Sequence, residues 1–215
     1  SPNGDPFFSN MSNYNVTLTV PNDYVVSNTG KVKKETQNET TNTLEIEAFS
    51  VRDFAIVLSK EFKVLSKNVG TTEVKYYYFN DSTPEESLKA GTDALEYFNK
   101  TFGKYPYSTL SVVQANFVHG GMEFPNLVYI SNDVVDPDFY KQVIVHEIAH
   151  QWWYNLVGSN AFKNGWLDEG LTEYSTALFF EDHEEYGISK DSLINNAYSL
   201  FSLFVQVYEK VYGNV

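Results

Sequence analysis

From residue 14 to about 79, hydrophobic and polar positions alternate in short runs rich in β-branched and aromatic residues: YNVTLTV (14–20), LEIEAF (44–49), DFAIVLS (53–59), FKVLS (62–66) and EVKYYYF (73–79). Alternation sends every second side chain to one face of a pleated ribbon, so each run predicts a half-buried strand. KKETQNETTN (33–42) has no apolar periodicity and predicts an exposed hairpin loop. At 83–86, Thr-Pro-Glu-Glu offers an N-cap, a proline at the first helical position and a glutamate that completes a capping box. A helix is predicted from there to about Phe102, ended by Gly103. LSVVQANFV (110–118) and LVYIS (127–131) return to strand character around HGGMEFPN, and from about Pro137 the pattern is helical. The change from an all-β run to mixed α and β near residues 66–72 predicts two domains, 1–68 and 69–215, in an α+β chain.

The 215 residues are enough to bury a sizeable core. A formal charge of −13 and an isoelectric point near 4.6 argue against nucleic acid or anionic lipid as the main partner, because binding phosphate needs clustered Lys and Arg. With no cysteine, disulfide frameworks and thiolate zinc sites are excluded, and a metal must be held by His, Asp or Glu. No apolar run approaches the roughly 20 residues that span a bilayer. The start, SPNGDPFF, resembles neither a signal peptide nor a natural initiator, and both ends read as cut from a longer protein.

One helical stretch carries chemistry: VIVHEIAHQWW, residues 143–153. Positions four apart lie on nearly the same helix face, so His146 and His150 can point nitrogens at one ion. Glu147 sits one step around, within reach of a water on that ion, which is the geometry of H-E-x-x-H zinc hydrolases. The pentapeptide alone recurs by chance, and histidines on a half-buried face often only hydrogen-bond. A catalytic zinc wants a third protein ligand, and WLDEGLTEY supplies Glu169 on a following helix, whose start the preceding NGW marks.

HEIAHQWW followed by WLDEG resembles the aminopeptidase N family of zinc peptidases, and Gly120-Gly121-Met122-Glu123 matches that family's Gly-x-Met-Glu motif in the strand before the zinc helix. The resemblance covers most of the chain. It implies the end of an all-β N-terminal domain followed by a truncated thermolysin-like catalytic domain, and one Zn2+ per chain held by His146, His150 and Glu169. It implies that Glu147 is the general acid-base and that Glu123 binds the free α-amine of a peptide substrate. Gly120 and Gly121 would let the substrate backbone approach along the strand edge, or simply form a turn after His119. The family motif usually ends in Asn where this chain has Phe124, which puts substrate preference in question. The family also uses a downstream tyrosine to stabilise the oxyanion. Tyr208, in VYEK (207–210), lies on a stripe with Phe201, Phe204, Val205 and Val211 and reads as core, so the family tyrosine is expected beyond Val215.

Around the motifs, Asp168 and Glu173 are candidates to accept the second N–H of a ligating imidazole, or are surface charges. Trp152, Trp153 and Trp166 read as core rather than pocket lining. His183, in EDHEEYG, reads as solvated, and His119 as structural. The leading expectation is a zinc aminopeptidase; an endopeptidase on the same scaffold and a non-catalytic binding module are the alternatives.

Overall fold

The computed structural model, which describes residues 8–195, turns the alternating runs into strands β1 (Ser12–Pro21), β2 (Val25–Asn28), β3 (Lys31–Gln37), β4 (Thr41–Val51), β5 (Ile56–Ser59), β6 (Lys63–Val69) and β7 (Thr72–Tyr78). After helix α1 (Pro84–Thr101) come β8 (Thr109–Ala115), β9 (Gly121–Met122) and β10 (Leu127–Ser131), then helices α2 (Pro137–His150) and α3 (Ala161–Asp182). Two compact units result: Ser9–Gly158, and Phe8 together with the chain from Ser159.

In the first unit, β1, β4 and β3 form an antiparallel sheet in that order, and β2 pairs with β5. The stretch expected as a loop at 33–42 is mostly strand. β3 is an edge strand whose side chains, apart from Val32, are exposed, so it needs no apolar alternation. Lys33 and Lys34 reach Glu47 and Glu45 on β4 at 3.1 and 3.3 Å, the charged dressing that keeps an edge from recruiting another strand. Only the tight turn is loop, where Asn38 Oδ1 accepts the N–H groups of Thr40 and Thr41.

The second sheet runs β6-β7-β8-β10-β9, with β7, β8 and β10 mutually parallel and the two outer strands antiparallel. β8 and β10 are buried along almost their whole length, as expected of central parallel strands. β6 is laddered to β7 from Lys63–Tyr78 to Val69–Thr72 across a turn at Gly70, where φ is +57°. The line at 68/69 falls within that hairpin, and the division into a β domain and a catalytic domain is a proposal.

α1 buries Ser87, Ala90, Gly91, Ala94, Leu95 and Phe98, one face at helical spacing. Buried Gly91 faces the sheet and α2, where a methyl would make only ordinary contacts with Val112 and Ile148 at 3.5 and 3.6 Å. The capping box does not form, because Thr83 makes no side-chain cap. The Glu86 and Ser87 N–H groups bond to the Thr83 backbone carbonyl instead, and Asp81 accepts the Thr83 N–H at 2.8 Å and the Ser87 hydroxyl at 2.6 Å, with its charge at the positive end of the helix.

In the second unit, α3 breaks at Asn164 (φ −133°, ψ 48°), so the stretch carrying Glu169 starts afresh near Gly165, as NGW predicts. A short turn, Glu184–Tyr186, follows, and Phe179, Phe180, His183 and Tyr186 pack together. His183 is therefore not simply solvated: its ring stacks on Phe179 at 4.1 Å and its Nδ1 lies 2.8 Å from the Phe179 carbonyl oxygen. Among the described residues no helix is long and apolar enough to cross a membrane.

Candidate metal centre

The zinc-type motif lies on α2, which starts at Asp136. The Asp136 carboxylate accepts the Phe139 N–H at 2.7 Å, and Pro137 takes the first helical position, where a missing N–H costs nothing. Tyr140, Ile144 and Ile148 are buried on one stripe and lock the helix in place. One turn apart on another face, His146 and His150 bring their Nε2 atoms to 3.2 Å, with His150 fully buried and His146 half-buried. Two imidazoles on a tetrahedral zinc, with Zn–N of about 2.0–2.1 Å, would hold their nitrogens roughly 3.3 Å apart. The pair fits zinc.

Glu147 and Glu123 are both buried, and each offers a carboxylate oxygen that lies with a ring nitrogen of His150 inside a 4.8 Å cluster. Two carboxylates this close repel, and a cation or a substrate ammonium beside them offsets the repulsion. Glu123 follows β9, the edge strand of its sheet, which places Gly120 and Gly121 at an open edge.

Phe124, Pro125 and Asn126 then turn the chain: the Phe124 carbonyl accepts the Leu127 N–H at 3.1 Å, with left-handed Asn126 (φ +61°) after Pro125. Phe124 packs edge-on to Tyr129 at 5.1 Å and against the core around Leu127, which explains how an aromatic residue is accommodated where the family has Asn.

Sequence reasoning missed Gln151. Its side chain is fully buried; Oε1 accepts the Asn126 N–H at 2.9 Å and Nε2 donates to the Phe124 carbonyl at 3.1 Å. The residue after His150 is thereby tied to the turn after Glu123. The available signal was a polar amide directly after the motif, between His150 and the aromatic pair Trp152-Trp153. Gln151→Ala leaves the buried Asn126 N–H unsatisfied, while the Phe124 carbonyl keeps its bond from the Leu127 N–H, and is expected to cost about 1–3 kcal/mol of stability, read by chemical denaturation.

α2 continues as a π-helical turn, Gln151–Leu156. There Tyr154 donates its hydroxyl to Asp53, while Arg52 Nε donates to the Tyr154 carbonyl at 2.8 Å. Burial, then Asp53, and then the charge of Glu123 push the Tyr154 phenol well above its ordinary value, so it stays a donor. Trp152 is core, its Nε1 donating to the Gly103 carbonyl, and half-buried Trp153 packs edge-on to Phe102 at 5.0 Å.

Trp166 departs from the core expectation: it is 72% exposed, on the outer face of α3. On the same helix Asp168 is buried, which removes the surface-charge reading for it, Glu173 is half-buried and Glu169 is exposed. Glu169 belongs to the unit beginning at Ser159, and its place as third ligand is a proposal. His119 is exposed and rests edge-on against Phe117. Tyr208 and its stripe lie outside the described residues.

The sequence profile of the peptidase family M1 domain matches residues 86–206, more than half of the chain. The chain belongs to peptidase family M1. Leucine aminopeptidase 2 of Sclerotinia sclerotiorum is 32% identical over 123 residues, 53% of this chain and 20% of that protein. Leukotriene A-4 hydrolase of Xenopus laevis is 37% identical over 83 residues, 37% of this chain and 14% of that protein. The chain thus spans a fifth or less of these relatives. Among solved structures, an M1 zinc metallopeptidase from Deinococcus radiodurans superposes with a TM-score of 0.68 at 19% identity, over 90% of this chain and 46% of that one. A two-domain M1 zinc metallopeptidase bound to L-arginine gives 0.69 at 18% identity, over 91% of this chain and 46% of that one. These likenesses bear out the α+β fold of an N-terminal β domain with the beginning of an M1 catalytic domain.

Proposed function

We propose that this chain carries the active site of a zinc aminopeptidase that hydrolyses the first peptide bond of peptides with a free N-terminus. The observation that carries the reading is Glu123, a buried carboxylate clustered with Glu147 and His150 beside an open strand edge. A carboxylate there has a natural partner in a substrate ammonium and no use in an enzyme that cuts interior bonds. The names of the leucine aminopeptidase relatives support the same class.

In this reading His146, His150 and Glu169 hold one zinc, which supplies a water of lowered pKa and a Lewis acid for the scissile carbonyl. Glu147 takes the attacking water's proton and passes it to the leaving amine. Glu123 fixes the substrate's first residue, so that only the first peptide bond reaches Glu147. The free edge of β9 pairs with the substrate backbone.

The test compares one peptide with a free amino terminus and the same peptide acetylated, using the complete zinc-loaded protein. Acetylation is expected to lower kcat/KM by on the order of 10²-fold or more, the cost of leaving one member of a buried charge pair alone. Equal cleavage of both would mean an endopeptidase, and cleavage of neither a binding module.

A further inference from the structure

We propose that Gly121 is a positioning residue for Glu147: the missing side chain leaves the space in which the Glu147 carboxylate lies. A Cβ built on Gly121 would fall 2.2 Å from Glu147 Oε1, 2.5 Å from Cδ and 2.6 Å from Cγ, and all three of its nearest neighbours belong to that one side chain. Non-bonded heavy atoms settle at about 3.5–4.0 Å, so an alanine cannot share this space with Glu147 as it stands.

Backbone conformation does not explain the glycine. The left-handed glycines of the described chain are Gly30, Gly70, Gly103 and Gly187, and Gly121 sits in an ordinary strand. Its neighbour gives the contrast, since a Cβ on Gly120 would meet nothing nearer than Val143 Cγ2 at 3.9 Å. Two adjacent glycines therefore do different things, and only the second is demanded by Glu147.

The strand is not free to retreat. β9 is registered on β10 through Gly121–Ile130 and Met122–Tyr129, and the Gly120 carbonyl accepts the Ser131 N–H at 2.9 Å. α2 is equally fixed by its buried stripe. What yields to an added methyl is the Glu147 side chain, which has three rotatable bonds, and it yields by about 1 Å. The inference rests on Glu147 being the general base, and it moves Gly121 from substrate approach to holding that base in line.

The test uses the complete zinc-loaded protein and compares wild type, Gly121→Ala and Glu147→Gln. Gly121→Ala is expected to keep its zinc, hold KM within about twofold and lose on the order of 10²-fold in kcat, the penalty of a catalytic group misplaced by about 1 Å. Its crystal structure should show the Glu147 carboxylate displaced and the β9–β10 pairing unchanged. A raised KM with kcat preserved, or a Glu147 carboxylate still in place, would overturn the proposal. Wild-type turnover by Glu147→Gln would instead sink the general-base reading, leaving the crystallographic displacement to judge Gly121. Should Gly121→Ala fail to fold, Gly121→Ala combined with Glu147→Ala is expected to fold, because the opposing side chain is gone; failure of that double variant counts against the idea.

Discussion

Glu147→Gln is expected to retain stoichiometric zinc and lose on the order of 10³-fold in kcat, with KM little changed. Gln has the size and shape of Glu, which matters where the carboxylate fills the space that a side chain on Gly121 would take and any larger group would move. The change therefore removes basicity and little else. The structure also makes this variant a test of where the metal sits. Glu123, Glu147 and His150 form a buried trio that could itself hold a cation, and in that arrangement Glu147 is a ligand rather than a base. An amide is a poor zinc ligand, so a metal carried by this trio would be lost along with activity. Elemental analysis of the purified variant beside steady-state kinetics separates the two: zinc kept and rate lost supports a base, zinc lost makes Glu147 a ligand, and rate kept dismisses it from the chemistry.

The strands were legible wherever one face is buried and the other wet, because that produces the period-two pattern directly. β3 escaped because an exposed, charged edge strand buries almost nothing, so its sequence looks like that of a loop. The start of α1 was read correctly and its cap was not: the Glu86 and Ser87 N–H groups go to the Thr83 backbone carbonyl rather than to a side chain, and Asp81, set by the preceding turn, takes the Thr83 N–H and the Ser87 hydroxyl. Sheet order was not legible at all. β8 and β10 are neighbours through a parallel pairing that local patterns do not encode, and this pairing brings β9 and Glu123 beside α2.

At the site, spacing alone placed His146 and His150 on one helix face, since helix geometry is rigid over a single turn. The roles of Gln151 and Gly121 were invisible because each acts on a partner about 25 residues away in sequence, through a turn whose course depends on tertiary packing. Trp166 shows the limit from the other side. An aromatic next to a motif invites a core assignment, but its exposed position follows from the phase of α3 after the break at Asn164, and a break resets a helix's phase in a way composition does not reveal.

His146→Ala is expected to weaken zinc binding by on the order of 10²- to 10³-fold and, at limiting zinc, to abolish turnover. Structural zinc sites bind with about 10–16 kcal/mol across four ligands, so one ligand carries roughly 3–4 kcal/mol of it. His146 is the informative choice because it belongs to the histidine pair and not to the trio of Glu123, Glu147 and His150. It is also half-buried, whereas His150 is fully buried, so its truncation disturbs packing less and the folded state should survive. The apo protein keeps a core of α1, α2 and the five-stranded sheet that needs no metal, and the variant should melt close to apo wild type. Added zinc stabilises only a state that binds it, so wild type should gain thermal stability with zinc while the variant at the same concentration gains almost none. Retention of one tightly held zinc by His146→Ala would place the metal on the carboxylate trio and turn His146 into a bystander. Loss of zinc from both His146→Ala and Glu147→Gln would mean that a single ion draws on both sets of residues.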